Sequence, residues 1–530
     1  MITLGLVDSV DDNGVYVTMP GSRGVVRGPF ATLQNVAAND RVLVVTTDEG
    51  ESVIVGKAPW AHVGEYNVQD YGAVPTTSVD STQAIQAAVD AAEDAGGGVV
   101  YVPGGAYRIT DAIDLPSGVT LRGDGPDTSV LYNFSATSDF ITSGSTSLVA
   151  VRDLQLQSSI ERTAGAGINF TSVQGYILDN LRFIAPYNVA DFTSCDAGWI
   201  SRIKVAASVS PTVLNRGLWF QSCVETHITM LAVNGGATVL PADSAWVTFD
   251  SGCDTFVLDD VSAVASSGAG IALRLTHSLS PASFAPRWGR ISNFFFEGSS
   301  GVVGEGRLCA SIEAGLSVYF TNGYFTTGKS GIEITGGKDI RFTQSTFLNN
   351  WLYGASLNSS SLHSVTFMAC TFSDNSTGAD NNTAHLLIAS PVTAVRVTDC
   401  YFGQTILGNA NEAKYAVETN AVAGEVYVRG CRLEGPFGTG PIGGTVKPGL
   451  RDNRGYNPIG AVTPSVPSSG TPVTNDTGVD VSVYVAGGTV AGIAVGGTST
   501  GITSGLVRVN NGQTITLTHS SAPTWVWMGD

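Results

Sequence analysis

The sequence predicts an all-β chain dominated by a parallel β-helix. Three observations lead there: a short β motif that returns about every 28 residues, six of seven cysteines that fall on this repeat in two registers, and one amphipathic helix placed where a stacked sheet would begin. At 530 residues the chain exceeds one ordinary core, so several domains or a repeat array are required. Glycine, at 64 residues, supplies many turns, and a hydrophobic content of 43% is ample for burial.

From the N-terminus, residues 1–60 hold five short alternating runs, "GLVDSV", "GVYVTMP", "GVVRGPF", "DRVLVVTTDEG" and "ESVIVGK", with turns at "DDNG" and "AAND". Five strands in so short a span predict a small closed barrel of OB-like type. It shows neither a basic groove nor stacking aromatics, which favours attachment over nucleic-acid reading. Next, "DSTQAIQAAVDAAEDAGGG" places Ile85, Ala88, Val89 and Ala92 on one face of a helix over residues 81–95, with N-cap oxygens from Asp80 and Ser81 and a glycine stop at 96–98. The strand, glycine turn and strand of "VVYVPGGAYRIT" follow. The first coil of a solenoid exposes an unpaired edge and an open apolar interior, so a helix at this position reads as its cap.

The body, residues 61–456, carries the repeat. Motifs ending at Leu156, Phe183, Val205, Val233, Ala263, Phe296, Phe325, Phe347, Phe372, Phe402 and Leu433 are separated by 27, 22, 28, 30, 33, 29, 22, 25, 30 and 31 residues. No helix recurs in the repeat, so a β-helix of about twelve or thirteen coils and on the order of 60 Å is expected rather than a leucine-rich horseshoe. Cys195, Cys223 and Cys253 each lie ten residues before their motif end, and Cys370, Cys400 and Cys431 each lie two before theirs. Stacked coils then make two interior columns of small apolar thiols; strand spacing would also permit disulfides, but the odd count favours thiols. Beyond the body, "NPIGAVTPSVPSSGTPVTN" (457–475) reads as a linker, and 476–530 as a small β-sandwich whose Trp525 and Trp527 belong to its core.

The formal net charge of −18 disfavours nucleic-acid and anionic-membrane partners. No run of 18 apolar residues and no signal-peptide pattern occur, so neither membrane insertion nor signal-peptide export is expected. No CxxC pair exists and the six histidines are scattered, so no metal and no cofactor are expected.

The stretch "YNVQDYGAVPTTSVDSTQAIQAAVDAA…GGGVVYVPGGAYRI…LPSGVTLRGDG" closely resembles the opening segment of the pectate-lyase-like right-handed β-helix superfamily over about sixty residues. With the flanking modules, the chain resembles bacteriophage tail spikes and minor tail proteins, and "VTNDTGVDVSVYV…GLVRVNNGQTITLTHSSAPTWVWMGD" is similar to a terminal domain of minor tail proteins of actinobacterial phages. The resemblance implies a homotrimer in the virion tail. The barrel would dock on other tail proteins, the β-helix would form a shaft, and a host cell-surface glycan would be bound.

Relatives either cleave such glycans with paired carboxylates or only bind them, which leaves receptor binding, depolymerisation and simple spacing as alternatives. Glycoside hydrolysis needs two carboxyls about 5 Å apart for retention or about 6.5–9.5 Å apart for inversion. The repeat offers Asp196 and Asp254 at one register two coils apart, with Glu225 one position later on the coil between; Trp199 and His227 share another register, and Trp219 is near in sequence. The three carboxylates are the catalytic candidates and the two tryptophans and His227 the glycan-binding ones; the same residues also fit a solvated acidic surface. Glu297, ending "FFFEG", is a further carboxylate. The longest step contains "SPASFAPRWGR" (280–290), read as an irregular loop whose Arg287, Trp288 and Arg290 would meet either an anionic sugar or cell-wall phosphate, or a neighbouring subunit of a trimer. "RIK" at 202–204 matches a short polygalacturonase motif, but the accompanying "NTD", "DD" and "GHG" do not precede it, and the calcium-carboxylate cluster of pectate lyases is not identifiable.

Overall fold

The aligned motif ends are direct strand partners at every step, from Leu156 beside Phe183 to Phe402 beside Leu433. The structure, a computed structural model, describes residues 2–11, 14–18, 26–32, 41–46, 52–57, 64–206, 214–234, 241, 244–264, 270–279, 285–298, 307–378, 383–404, 412–420, 425–445, 449–456 and 459–529. The barrel turns at 12–13 and 37–40, the first five residues of the 280–290 segment, and residues 457–458 of the linker segment lie outside these.

A backbone device accounts for the constant register. Three residues before each motif end the chain turns through one left-handed residue: Asp153, Asn180, Arg202, Met230, Asp260, Asn293, Asn322, Gln344, Ala369, Asp399 and Gly430, each with φ between 50° and 65°. Most are Asp, Asn or Gly, the types that tolerate this conformation best. One such corner bends a strand without breaking its ladder, so strands such as Asp196–Ala206 and Val224–Asn234 run through it.

Repetition of this corner builds a right-handed parallel β-helix from a bent sheet of 22 strands and a facing sheet of 13. Thirteen strands at roughly 4.8 Å span about 60 Å. The interior is filled by stacked rings. Phe325, Phe347, Phe372 and Phe402 lie face to face at 4.8, 4.5 and 4.7 Å, and Phe320, Phe342 and Phe367 form a parallel column at 4.8 and 4.9 Å. Edge-to-face contacts of 5.6–6.1 Å join the two columns. Aromatic pairs in both geometries add about 0.5–1.5 kcal/mol beyond area burial.

All seven cysteines are buried and unpaired. In the first ladder Cys195, Cys223 and Cys253 point their thiols at the Phe170, Phe192 and Phe220 carbonyls. Contact with Cys223 and burial push the Cys195 thiol up; for Cys223 the lowering by Cys195 is outweighed by Cys253 and burial, and its pKa rises to about 12. Cys195 and Cys223 are thus neutral hydrophobes, not nucleophiles. Cys309, the cysteine outside both ladders, is likewise raised to about 12 by burial.

A polar column inside the C-terminal half was not foreseen. Asn350 donates to Asn375 Oδ1 at 2.8 Å and to the Phe325 carbonyl, while Asn375 donates to the Phe347 carbonyl and pairs with His385 Nδ1 at 3.0 Å. Each buried amide is thereby satisfied, as interior burial demands.

Helix α1 (Thr82–Asp94) covers the first coil with Ile85, Ala88, Val89 and Ala92 fully buried. Its cap differs from expectation. Ser81 sits at the N-cap but makes no capping bond; its hydroxyl ties back to Val74, and Asp80 accepts from the Thr82 amide at 3.0 Å instead. The N-terminal strands β1 (Ile2–Asp11), β2 (Gly14–Thr18), β3 (Val26–Thr32), β4 (Arg41–Thr46) and β5 (Ser52–Lys57) close into an OB-like barrel in the order β1-β2-β3-β5-β4.

The C-terminal sandwich consists of two four-stranded sheets. Trp525 and Trp527 are 1% and 2% exposed and meet edge to face at 5.3 Å, as core residues. Ala461–Val462 and Pro472–Thr474, inside the segment read as linker, add a strand to each sheet, and Trp525 Nε1 donates to the Pro464 carbonyl at 2.7 Å.

Candidate functional site

The bent sheet turns two kinds of side chain outward near its middle coils. One register column contains Asp196, Val224, Asp254 and Arg287 on successive strands. Asp196 and Asp254 are thus two strand spacings apart, about 9.6 Å along the axis. Glu225 follows Val224 and is exposed; it occupies a left-handed position (φ 53°) that recurs as Ala197, Thr255 and Trp288. This second corner redirects each side chain away from the regular alternation.

Arg287 and its neighbours depart from the loop reading. They open the regular strand Arg287–Glu297, and the extra length of the 33-residue step lies before them. The register sets Arg287 directly beside Asp254, where its guanidinium meets the carboxylate at 2.7 and 2.9 Å and its flat face lies 4.8 Å from the Trp288 ring. Asp254 is therefore an ion-paired carboxylate. Trp288 is 54% exposed. Glu297 closes the same strand beyond its corner, opposite Val264 and Thr326.

The neighbouring column carries the aromatic candidates. It runs through Trp199, His227, Val257, Arg290, Tyr319, Arg341, Thr366, Arg396 and Tyr427. Trp199 and His227 stack at 4.2 Å with planes 5° apart, so one indole face is covered by imidazole although Trp199 stays 53% exposed. A sugar would meet the other indole face or the ring edges. Arg290 is exposed and its side chain makes no ion pair or hydrogen bond among the described residues, whereas Arg341 pairs with Asp339 at 2.7 Å and lies over Tyr319. Trp219 does not join this group. It stands on the 13-stranded sheet, beside Asp191 and under the guanidinium of Arg216 at 4.4 Å.

Arg202 of the "RIK" triplet is a corner residue held by Asp179. That guanidinium, against a smaller opposing effect of burial, holds the Asp179 carboxyl below the usual carboxylate range. The pairing is a structural tie between coils. Among the described residues no group of three His, Cys, Asp or Glu is placed to hold a metal, and no helix is long and apolar enough to cross a membrane.

The comparisons with known proteins agree with the right-handed β-helix fold. A family model described as rhamnogalacturonase A/epimerase, pectate lyase-like, matches residues 66–251, roughly a third of the chain. Mannuronan C5-epimerase AlgE4 of Azotobacter vinelandii is 36% identical over 115 residues, which is 19% of this chain and 21% of the epimerase. The chain thus matches only about a fifth of that relative's length.

Among solved structures, the tailspike protein of E. coli bacteriophage HK620, in complex with a pentasaccharide, aligns with a TM-score of 0.52 at 10% identity, covering 91% of this chain and 96% of that one. The tailspike protein gp49 of Pseudomonas phage LKA1 gives 0.50 at 13% identity, over 87% and 99% of the two chains. At these identities the likeness is one of fold.

Proposed function

We propose that this chain is a phage tail-spike or minor tail protein that recognises a host cell-surface polysaccharide through the outer face of its β-helix. The observation that carries the reading is the outward column from Trp199 to Tyr427, which concentrates aromatic rings and guanidinium groups on a chain of net charge −18. Rings offer apolar faces to sugars, and arginine forks bind their carboxylates and hydroxyls. The fold shared with two phage tailspikes, one of them solved with a pentasaccharide, supports the assignment. In this reading the barrel docks on the tail, three copies associate along the shaft, and the terminal sandwich lies toward the host.

A second reading, depolymerisation, is favoured by one observation, the common register of Asp196 and Asp254. Their strands lie about 9.6 Å apart, just past the long end of the inverting range, and in this reading the acid and the base are drawn from Asp196, Glu225 and Asp254. One experiment tests both. The purified protein is incubated with host envelope polysaccharide, and chain length is followed by size-exclusion chromatography beside an Asp196→Asn, Glu225→Gln, Asp254→Asn variant. Shortening by the wild type alone makes the protein a depolymerase. Saturable binding that Trp199→Ala weakens, without shortening, supports recognition; neither binding nor shortening leaves a spacer and refutes the proposal.

A further inference from the structure

The aromatic and arginine column ends where the terminal sandwich meets the last coils, and the ionic contacts change character there. Leu450 bridges to Val479 across the junction, and beside it opens a cavity of about 750 Å³. Its wall includes Arg396, Tyr427, Arg429, Arg451, Asn510 and Asn511. A volume of this order suits a small ligand.

Four guanidinium groups, those of Arg396, Arg429, Arg451 and Arg508, gather here around Asp399, Asp452 and Asp480. The pairs are long. Arg429 lies 3.8 Å from Asp452, Arg451 lies 3.3 and 3.9 Å from Asp452 and Asp480, and Arg508 lies 3.5 and 3.3 Å from the same two carboxylates. On the shaft the equivalent pairs close to 2.6–2.8 Å, as in Arg274–Glu313, Arg287–Asp254 and Arg216–Asp191. Arg429 and Arg451 are also direct cross-strand neighbours and share the one Asp452 carboxylate, at 3.8 and 3.3 Å. Arg396 is exposed, and its side chain has no ion pair or hydrogen bond among the described residues. Next to Arg396, Tyr427 leans over Gly449, where an added Cβ would come within 2.9 Å of the ring, yet the side chain remains 46% exposed.

We infer that this junction cavity binds an anionic saccharide unit. The carboxylate or phosphate would sit between Arg396 and Arg429 in charge-assisted bonds, and the sugar ring would pack on Tyr427. The exposed ring and the two asparagines on the wall distinguish a sugar from a bare oxyanion. This site is the C-terminal end of the column assigned to polysaccharide above, so the inference rests on that reading and deepens it by naming an anionic sugar at this end.

The test uses the full chain, titrated calorimetrically with three probes: a galacturonate trisaccharide, glucose 1-phosphate and a neutral galactose trisaccharide. Saturable binding of either anionic probe is expected, and the tighter of the two identifies the oxyanion. Arg396→Gln and Tyr427→Ala should each weaken it at least tenfold, Arg396→Lys should weaken it less than Arg396→Gln, and Tyr484→Ala, an exposed ring of the sandwich outside the cavity wall, should leave it unchanged. Unaltered circular dichroism shows that the variants fold, as expected for exposed positions. Failure of both anionic probes to bind, equal binding of the neutral sugar, or full binding by Arg396→Gln overturns the inference.

Discussion

Acidification should loosen the β-helix through one buried side chain before its carboxylates begin to titrate. His385 is 2% exposed, packs against the Phe402 and Phe437 rings, and accepts the Asn375 amide at Nδ1, so its proton sits on Nε2. Burial lowers its pKa from 6.5 to about 4, against a weaker raising effect of Asp374. A base kept neutral by the fold binds fewer protons folded than unfolded. Its stabilising contribution is therefore complete above 6.5 and declines as the pH falls toward about 4. Linkage between those two values predicts a loss of about 2 kcal/mol by about pH 5 and about 3 kcal/mol in full. The assay is urea unfolding followed by tryptophan fluorescence at about pH 7.5 and about pH 5, for the wild type and for His385→Gln, which keeps an acceptor for Asn375 but cannot titrate. The wild type should lose about 2 kcal/mol across this interval, and the variant markedly less. Parallel losses in the two proteins, or a flat wild type, would refute the assignment of a buried neutral imidazole.

Other outcomes follow from the same fold. A separate acid phase should open below about pH 4, because Arg202 lowers Asp179 and because Arg274 and Thr276 outweigh the burial of Glu313; both contributions are present above the unfolded carboxylate values and vanish beneath them, which the same titration extended downward would show. Phe347→Ala opens a hole between Phe325 and Phe372 and should cost about 3–5 kcal/mol in urea unfolding. Met230→Gly relieves a left-handed residue (φ 52°) that is half exposed and should gain up to about 1 kcal/mol, whereas Gly430→Ala should lose stability because its Cβ would fall 2.3 Å from Asp399 Oδ1. Ellman's reagent should find no reactive thiol in the folded protein and seven after denaturation.

The repeat was legible because stacked coils impose one demand at each register: a position that must fill the same slot draws the same residue type, and so Phe347, Phe372 and Phe402 recur. The corners escaped notice because the left-handed position tolerates Arg202, Met230 and Ala369 alongside the expected Asp, Asn and Gly, which blurs the pattern. Arg287 was placed in a loop because a 33-residue step must accommodate extra chain somewhere, and spacing alone does not say on which side of the strand. The Asn350–Asn375–His385 column was hidden by isolated polar letters whose partners lie a coil away. The junction arginines were beyond sequence reading, since Arg396 and Asn511 belong to different modules and meet only when the sandwich docks.

The constancy of the corner also bears on how such a protein changes over generations. Chain length varies elsewhere in the coil while the three-residue interval after each left-handed residue does not, so a duplicated or excised coil finds its neighbours already shaped to receive it. Cap, barrel and sandwich would rejoin unaltered. The length of the β-helix could thus be increased or reduced by whole rungs of roughly 4.8 Å, while new surface chemistry is tried on the added rung alone.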